Sequence, residues 1–113
     1  MELPTGAYLK DISATYNQFT IPRALKVLQP LPPETWGQVV VTEGELNLTL
    51  AGQGSQRVVA GQPALIPPGT LFKVDATDKP CVFCLHYYHE PELTNPQELT
   101  RLLGRGTPRR ASA

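Results

Sequence analysis

The chain has 113 residues, and its ten basic and ten acidic side chains cancel at neutral pH. A chain of this length forms one domain and buries roughly 60 to 70% of the surface of its unfolded state, so its core needs no disulfide or metal staple. Because a chain without net charge produces no field that attracts polyanions, we expect neither nucleic acid nor a membrane as a partner.

The first 25 residues contain no uninterrupted apolar stretch. The longest aliphatic run, residues 39–41, is far shorter than a signal-peptide core or a membrane span. The sequence therefore predicts a cytoplasmic protein. Its two cysteines, Cys81 and Cys84, lie three positions apart in a predicted strand, where neighbouring side chains alternate between faces, so we expect reduced thiols.

Twelve prolines and nine glycines separate short runs rich in Val, Leu, Thr and Tyr, which is typical of a β-sandwich or small barrel. Residues 8–31 have weak periodicity, and we expect two extra strands there that cover a sheet edge or pair with a second subunit. Alternating apolar residues at 46–50, a turn at 51–55 and a return at 56–59 predict a hairpin. Further strands are predicted at 38–42, 64–66, 71–74 and 81–88, with breaks at 43–44, 67–69 and 76–80.

One short helix is predicted near the carboxyl end of the chain. Asn95 is a suitable cap with Pro96 at the first helical position, and Gly104 ends the apolar pattern of Leu99, Leu102 and Leu103. Residues 105–113 are small, polar and basic, which predicts a disordered tail.

Two segments resemble the core motifs of the cupin superfamily. Residues 39–46 resemble the end of the first motif. Residues 61–76 resemble the second, Gly-x5-Pro-x-Gly-x2-His-x3-Asn: Gly61, Pro67 and Gly69 match it, whereas Phe72 and Ala76 depart from it. The resemblance implies an all-β, single-domain, cupin-type double-stranded β-helix, or jelly-roll barrel, over residues 1–104 with its core at about 21–90.

The metal ligands of the cupin motifs are missing. With Gly44 at the end of the first motif, the glutamate position falls on Gly37. The paired histidine positions fall on Pro30 and Pro32, or on Leu31 and Pro33. Since none of these side chains can coordinate a metal, we expect a metal-free cupin without another cofactor.

Residues 21–25, 35–41 and 82–88 are similar to small tellurite-resistance-related cupins of the TehB/YeaR-like type. Such proteins are expected to carry histidines at the positions of Gln29 and Phe72 and a glutamate near His86, and this chain departs from all three. The resemblance implies a homodimer and a bacterial stress or oxyanion-response setting.

On the last predicted strand, Val82, Cys84, His86 and Tyr88 share one face, and the resemblance places that face inside the barrel. His86 is then either a polar anchor for a ligand or a core histidine bonded to Tyr88 or to backbone. The aromatic rings of the chain either floor a pocket or pack the core. The predicted ligand-binding residues are His86, Cys84, Tyr88, Trp36, Phe72 and Gln29.

Two other chemistries fit the residue types less well. A zinc site at Cys81-x2-Cys84-x-His86-x2-His89 is disfavoured because strand alternation points the four side chains to two faces. A nucleophilic Cys84 with His86 as base would have its strand positions about 7 Å apart, and no orienting carboxylate accompanies them.

Three functions therefore remain open. The favoured one is a metal-free module that binds or senses a small molecule. The second is a structural or interaction dimer with its barrel packed shut. The third is a small enzyme that uses a relocated metal at His86 and Cys84, or His86 and Tyr88 as acid and base.

Overall fold

The computed structural model describes residues 2–90, which form an all-β fold as predicted. The predicted carboxyl-terminal helix and tail lie outside the described residues. Between residues 2 and 90, no helix is long and apolar enough to cross a membrane. The strands are β1 (Tyr8–Ile12), β2 (Tyr16–Asn17), β3 (Thr35–Leu50), β4 (Gly54–Val59), β5 (Ala64–Ile66) and β6 (Phe72–His89), and a 3-10 helix spans Arg23–Lys26.

The two long strands β3 and β6 pair antiparallel from end to end, except at residues 77–80 of β6, which have no partner on β3. β4 and β5 pair with β3, while β1 and β2 pair with β6 and so confirm the two strands predicted to cover a sheet edge. The predicted hairpin is also confirmed, with Leu50 opposite Gly54. The predicted breaks at 43–44 and 76–80 are wrong, because both are bends inside continuous strands.

The bend in β3 is centred on Gly44. The pairing register shifts between Val41 and Glu43 and again between Gly44 and Leu46. Gly44 has a φ of 74°, and a Cβ atom there would lie 1.8 Å from the carbonyl oxygen of Pro80. Only glycine combines this backbone conformation with so close an approach of β6.

The bends divide the sheet into two half-sheets. The first contains residues 35–41 and 82–89 with β1, β2 and β5, and the second contains residues 46–50 and 72–76 with β4. Their inner faces share one core, since buried side chains from both halves belong to a single cluster. Its fully buried members include Val39, Leu46, Leu48, Ile66, Val74, Cys81, Phe83 and Leu85.

The structure reverses the predicted orientation of β6. Phe83 and Leu85 are 0% and 1% exposed, whereas Val82, Cys84, His86 and Tyr88 are half-buried on the outer face. The prediction that this second set faces the interior is therefore wrong. In a sheet with one buried face, the more apolar set turns inward, and phenylalanine with leucine is more apolar than cysteine with histidine.

We expect Gly44→Ala to lower the free energy of unfolding by more than about 2 kcal/mol, because a left-handed conformation costs an alanine about 1–2 kcal/mol and the Cβ also meets the backbone of Pro80. Urea denaturation measures the change. Gly52→Ala is the matched control, because Gly52 has a φ of 82° and nothing within 4 Å of its added Cβ. Equal losses in the two variants would contradict a steric role for the bend.

Candidate functional site

The structure separates the predicted ligand-binding residues into two groups. Trp36, Cys84, His86 and Tyr88 lie on the outer face of the first half-sheet, where Trp36 is paired with Tyr88. Gln29 and Phe72 lie instead at the open end of the core. The structure therefore does not bring the six residues together in one place, and His86 lies on the outer face of the sheet.

Hydrogen bonds fix the two large rings of the outer group. The Tyr88 hydroxyl donates to Oε1 of Gln38 at 3.4 Å, and Nε1 of Trp36 donates to Oε1 of Glu90 at 3.1 Å. These contacts use the polar atoms of both rings within the chain. The donors of both rings are therefore already used at this face, on which the imidazole of His86 also lies.

A cavity of about 480 Å³ opens at the end of the core where the second group lies. We call it the mouth cavity. It is lined by Lys10, Asp11, Leu25, Gln29, Pro30, Leu31, Pro32, Thr35, Phe72, Tyr87 and His89.

Phe72 and Gln29 lie side by side in the wall of the mouth cavity. Phe72 is 2% exposed, and its backbone exchanges two hydrogen bonds of 2.9 and 3.0 Å with the backbone of Gln29. The Gln29 amide nitrogen donates to the carbonyl of Ala24, so the side-chain oxygen of Gln29 remains as an acceptor. Leu25 and Leu31 are buried and add apolar wall. This end of the cavity is therefore predominantly apolar.

The rim of the mouth cavity is polar. Asp11 is paired with Tyr87 across β1 and β6, and a register shift between Leu9 and Asp11 accommodates Lys10. The ring of His89 lies 6.0 Å from the ring of Tyr8, which packs beside it. A cation, a carboxylate, a phenol and an imidazole thus surround one opening.

The phenol of Tyr87 is held in its protonated form. Burial raises the pKa of Tyr87, and the nearby groups of Tyr16 and Asp11 raise it further because they disfavour a second negative charge. Tyr87 therefore remains a hydrogen-bond donor throughout the neutral pH range.

The residues at the cupin metal position do not fit a metal ion. A Cβ on Gly37 would lie 2.9 Å from Cδ1 of Leu31 and 3.3 Å from Cδ1 of Ile66, so apolar packing fills the space of a carboxylate ligand. Phe72 fills the histidine position. Within residues 2–90, no group of three or more His, Cys, Asp or Glu residues could hold a metal.

The predicted alternation of the two cysteines is confirmed. Cys81 is buried in the core, and burial raises the pKa of its thiol, whereas Cys84 is half-buried on the outer face. Both thiols are free. They therefore cannot join His86 and His89 in one tetrahedral site on a regular strand.

Sequence reasoning missed Lys10 and Asp11 as candidate site residues, and it considered His89 only as a zinc ligand. The sequence does indicate that His89 faces the cavity, because strand alternation places it on the same face as Phe83, Leu85 and Tyr87. Lys10 and Asp11 carried none, since β1 has no clear period and is exposed over all five residues.

A second cavity of about 600 Å³ lies beside β4 and β5. It contains the side chains of Gln53, Gln56 and Gln62, and its one cation, Arg57, already pairs with Glu45 at 3.3 Å. No aromatic side chain lines it. The mouth cavity therefore offers aromatic groups for recognising a ligand, on Phe72, Tyr87 and His89, that the second cavity lacks.

The TehB-like domain family matches the chain over residues 12–85. No curated protein matches it significantly. A protein from E. coli strain K12 has the same fold, with a TM-score of 0.73 and 18% sequence identity over 81% of this chain and 99% of its own.

TehB from Haemophilus influenzae has a TM-score of 0.68 at 13% identity over 74% of this chain, but the match spans only 32% of that protein. A cupin protein from Bacteroides fragilis has a TM-score of 0.56 at 17% identity over 72% of this chain and 66% of its own. Identities this low establish the fold alone, and they confirm the predicted cupin-type barrel.

The raised pKa of Tyr87 predicts a loss of stability in alkali. As the pH rises past about 10, the unfolded chain releases this proton before the folded chain does, so the free energy of unfolding falls. Tyr87→Phe should reduce that fall, to which Cys81, whose pKa burial also raises, contributes with the same sign. Urea denaturation between about pH 8 and 11 measures the slope, and Tyr88→Phe is the control. An unchanged slope in Tyr87→Phe would contradict the assignment.

Proposed function

We infer that this chain, which belongs to the TehB-like domain family, is a cupin module that binds a small organic molecule in the mouth cavity. The observation that carries this proposal is the gathering of Lys10, Asp11, Tyr87 and His89 at the rim of an otherwise apolar cavity. Convergent polar groups around an apolar space are typical of ligand sites, and the volume falls within the usual range of about 300–1,000 Å³.

The lining indicates the chemistry of the ligand. An apolar body would lie over the largely buried side chains of Leu25, Leu31 and Phe72, and a flat one would also contact the half-buried ring of Tyr87. At the rim, Tyr87 and Lys10 would donate hydrogen bonds to an acceptor group, while Asp11 disfavours a ligand with several negative charges. A neutral or singly anionic aromatic molecule matches both parts of the cavity.

The resemblance to tellurite-resistance-related cupins suggests that such a ligand signals stress. A bare oxyanion would gain nothing from the apolar walls and would meet Asp11 at the rim. We therefore propose that the stress signal is organic, and tellurite itself serves as the competing probe.

The alternative of a small enzyme receives less support. Cys84 and His86 lie outside the core on the outer face, away from the mouth cavity. In the part of the chain that the structure describes, no third ligand joins them. Binding through the mouth cavity is thus the better-supported function.

Titration calorimetry with benzoate, phenol and sodium tellurite tests the proposal. We expect benzoate or phenol to bind and tellurite not to bind. Tyr87→Phe should weaken binding by roughly 3- to 10-fold, which is the usual contribution of one hydrogen bond. Tyr88→Phe is the matched control, because the neighbouring phenol lies on the opposite face of the strand.

His89→Ala and His86→Ala form a second matched pair. We expect only His89→Ala to weaken binding, since His89 lines the mouth cavity and His86 does not. Two results would overturn the proposal: absence of binding by both organic probes at millimolar concentration, or equal losses in the two members of either pair.

A further inference from the structure

The rim and the inner wall of the mouth cavity differ in the hydrogen bonds that they can offer. At the rim, the ammonium group of Lys10 and the phenol of Tyr87 are donors. The inner wall has two polar side chains, which belong to Thr35 and Gln29. What these two side chains still offer, after their bonds within the chain are counted, decides which end of a ligand can be buried.

Thr35 is the most deeply buried polar side chain of the cavity. It begins β3, is 2% exposed, and lies on the inner face that continues with Gly37 and Val39. Its hydroxyl donates its single hydrogen to the carbonyl of Pro33 at 3.2 Å. Only the lone pairs of Oγ1 are left, so Thr35 can accept a hydrogen bond from a ligand but cannot donate one.

Gln29 offers an acceptor as well. Its amide nitrogen donates to the carbonyl of Ala24, a residue of the 3-10 helix that does not line the cavity. The amide oxygen, with two lone pairs, remains for a ligand. The backbone N–H and carbonyl of Gln29 are both bonded to Phe72. Gln29 therefore adds a second acceptor to the inner wall.

The backbone of the inner wall supplies few donors. Four of its N–H groups already donate to backbone carbonyls, and they belong to Leu25, Gln29, Thr35 and Phe72. Pro30 and Pro32 have no N–H group. Within residues 2–90, Leu31 has the one backbone N–H of this wall without such a bond. The inner wall therefore presents mainly acceptors.

A wall of acceptors discriminates between ligands by their buried end. A ligand that displaces water from the oxygens of Thr35 and Gln29 without donating a hydrogen bond leaves both acceptors unsatisfied, which weakens binding. A second acceptor placed there, such as an ether or a carboxylate, also meets electrostatic repulsion. A hydroxyl or amino group instead replaces the lost water by donating a hydrogen bond.

We propose that the ligand of the mouth cavity is an aromatic acid whose ring carries a hydroxyl or amino group. This inference rests on the proposed function, which assigns an organic ligand to the same cavity. The ring group donates to Thr35 and Gln29, and the carboxylate accepts from Lys10 and Tyr87 at the rim. Thr35 is then the residue that determines specificity at the buried end.

The other rim groups are compatible with a single carboxylate. Asp11 disfavours a second negative charge, while Lys10 offsets one. His89 is paired with Thr35 across β3 and β6, and its imidazole can accept or donate one hydrogen bond. A ring with one carboxylate therefore fits the rim better than a ring with two.

Titration calorimetry with matched benzoates tests this inference. We would compare 3- and 4-hydroxybenzoate with 3- and 4-methylbenzoate, in which a methyl group of similar size replaces the hydroxyl, at pH 7, where a phenol is protonated. For at least one ring position we expect the hydroxyl compound to bind roughly 3- to 10-fold more tightly than its methyl counterpart, as one added hydrogen bond provides.

Thr35→Val should reduce this preference to less than about 2-fold, whereas Thr35→Ser, which keeps the hydroxyl, should retain it. A merely structural role of Thr35 would instead weaken both compounds alike and leave their ratio unchanged. Thr42→Val is the matched control, because Thr42 also lies on β3 and donates to a backbone carbonyl at 3.2 Å, but outside the cavity. Circular dichroism checks that the variants fold.

The outcomes separate this inference from the proposed function. If the benzoates bind but hydroxyl and methyl compounds agree within about 2-fold at both ring positions, the cavity remains a ligand site and the selection for a donor is overturned. An unchanged ratio in folded Thr35→Val would overturn the role of Thr35. Absence of binding by every benzoate at millimolar concentration would overturn both proposals.

Discussion

The close passage of Gly44 beside the carbonyl of Pro80 is the constraint on which the rest of the structure depends. Phe72 and His89 are the two ends of β6, and a straight strand would hold them about 56 Å apart. Both nevertheless line one cavity. This is possible only because β3 and β6 bend together, and the bend requires a residue without a side chain where the strands meet. The mouth cavity is therefore a product of backbone geometry.

Apolar packing replaces metal coordination at the open end of the barrel. Leu31 and Ile66 close over the backbone of Gly37, and Phe72 is fixed by its paired backbone hydrogen bonds with Gln29. A metal ion would organise such an end through polar ligands that need a second shell of hydrogen bonds. Dispersion and burial stabilise this end of the barrel instead, and apart from Gln29 and Thr35 the polar side chains of the cavity lie at its rim. The groups that can make polar contacts with a ligand are therefore mainly Tyr87 and its neighbours at the rim, and not residues at the centre of the cavity.

The sequence was sufficient to predict the all-β cupin fold and the hairpin, because glycine, proline and period-two alternation act locally. It also located Gln29 and Phe72, which line the cavity. It did not predict the orientation of β6, since both sets of alternating residues mix apolar and polar side chains and a one-residue slip exchanges the two faces. The apolar character of Phe83 and Leu85 by itself predicts that these two side chains face the core, as the structure shows. The contribution of β1 depends on long-range pairing, which no local pattern reveals.

The irregularity in β1 connects the mouth cavity with the outer face of the sheet. Leu9 and Ile12 pair with Tyr88 and His86 of the outer face, whereas Lys10 and Asp11, at the register shift, line the mouth cavity. β1 is an edge strand exposed along its whole length, so it has the least packing to hold it in place. A ligand that contacts Lys10 and Asp11 would therefore order β1 and, with it, this edge of the sheet. Binding in the mouth cavity and the stability of the edge are thus linked, because a ligand that binds only the ordered strand stabilises that strand by mass action.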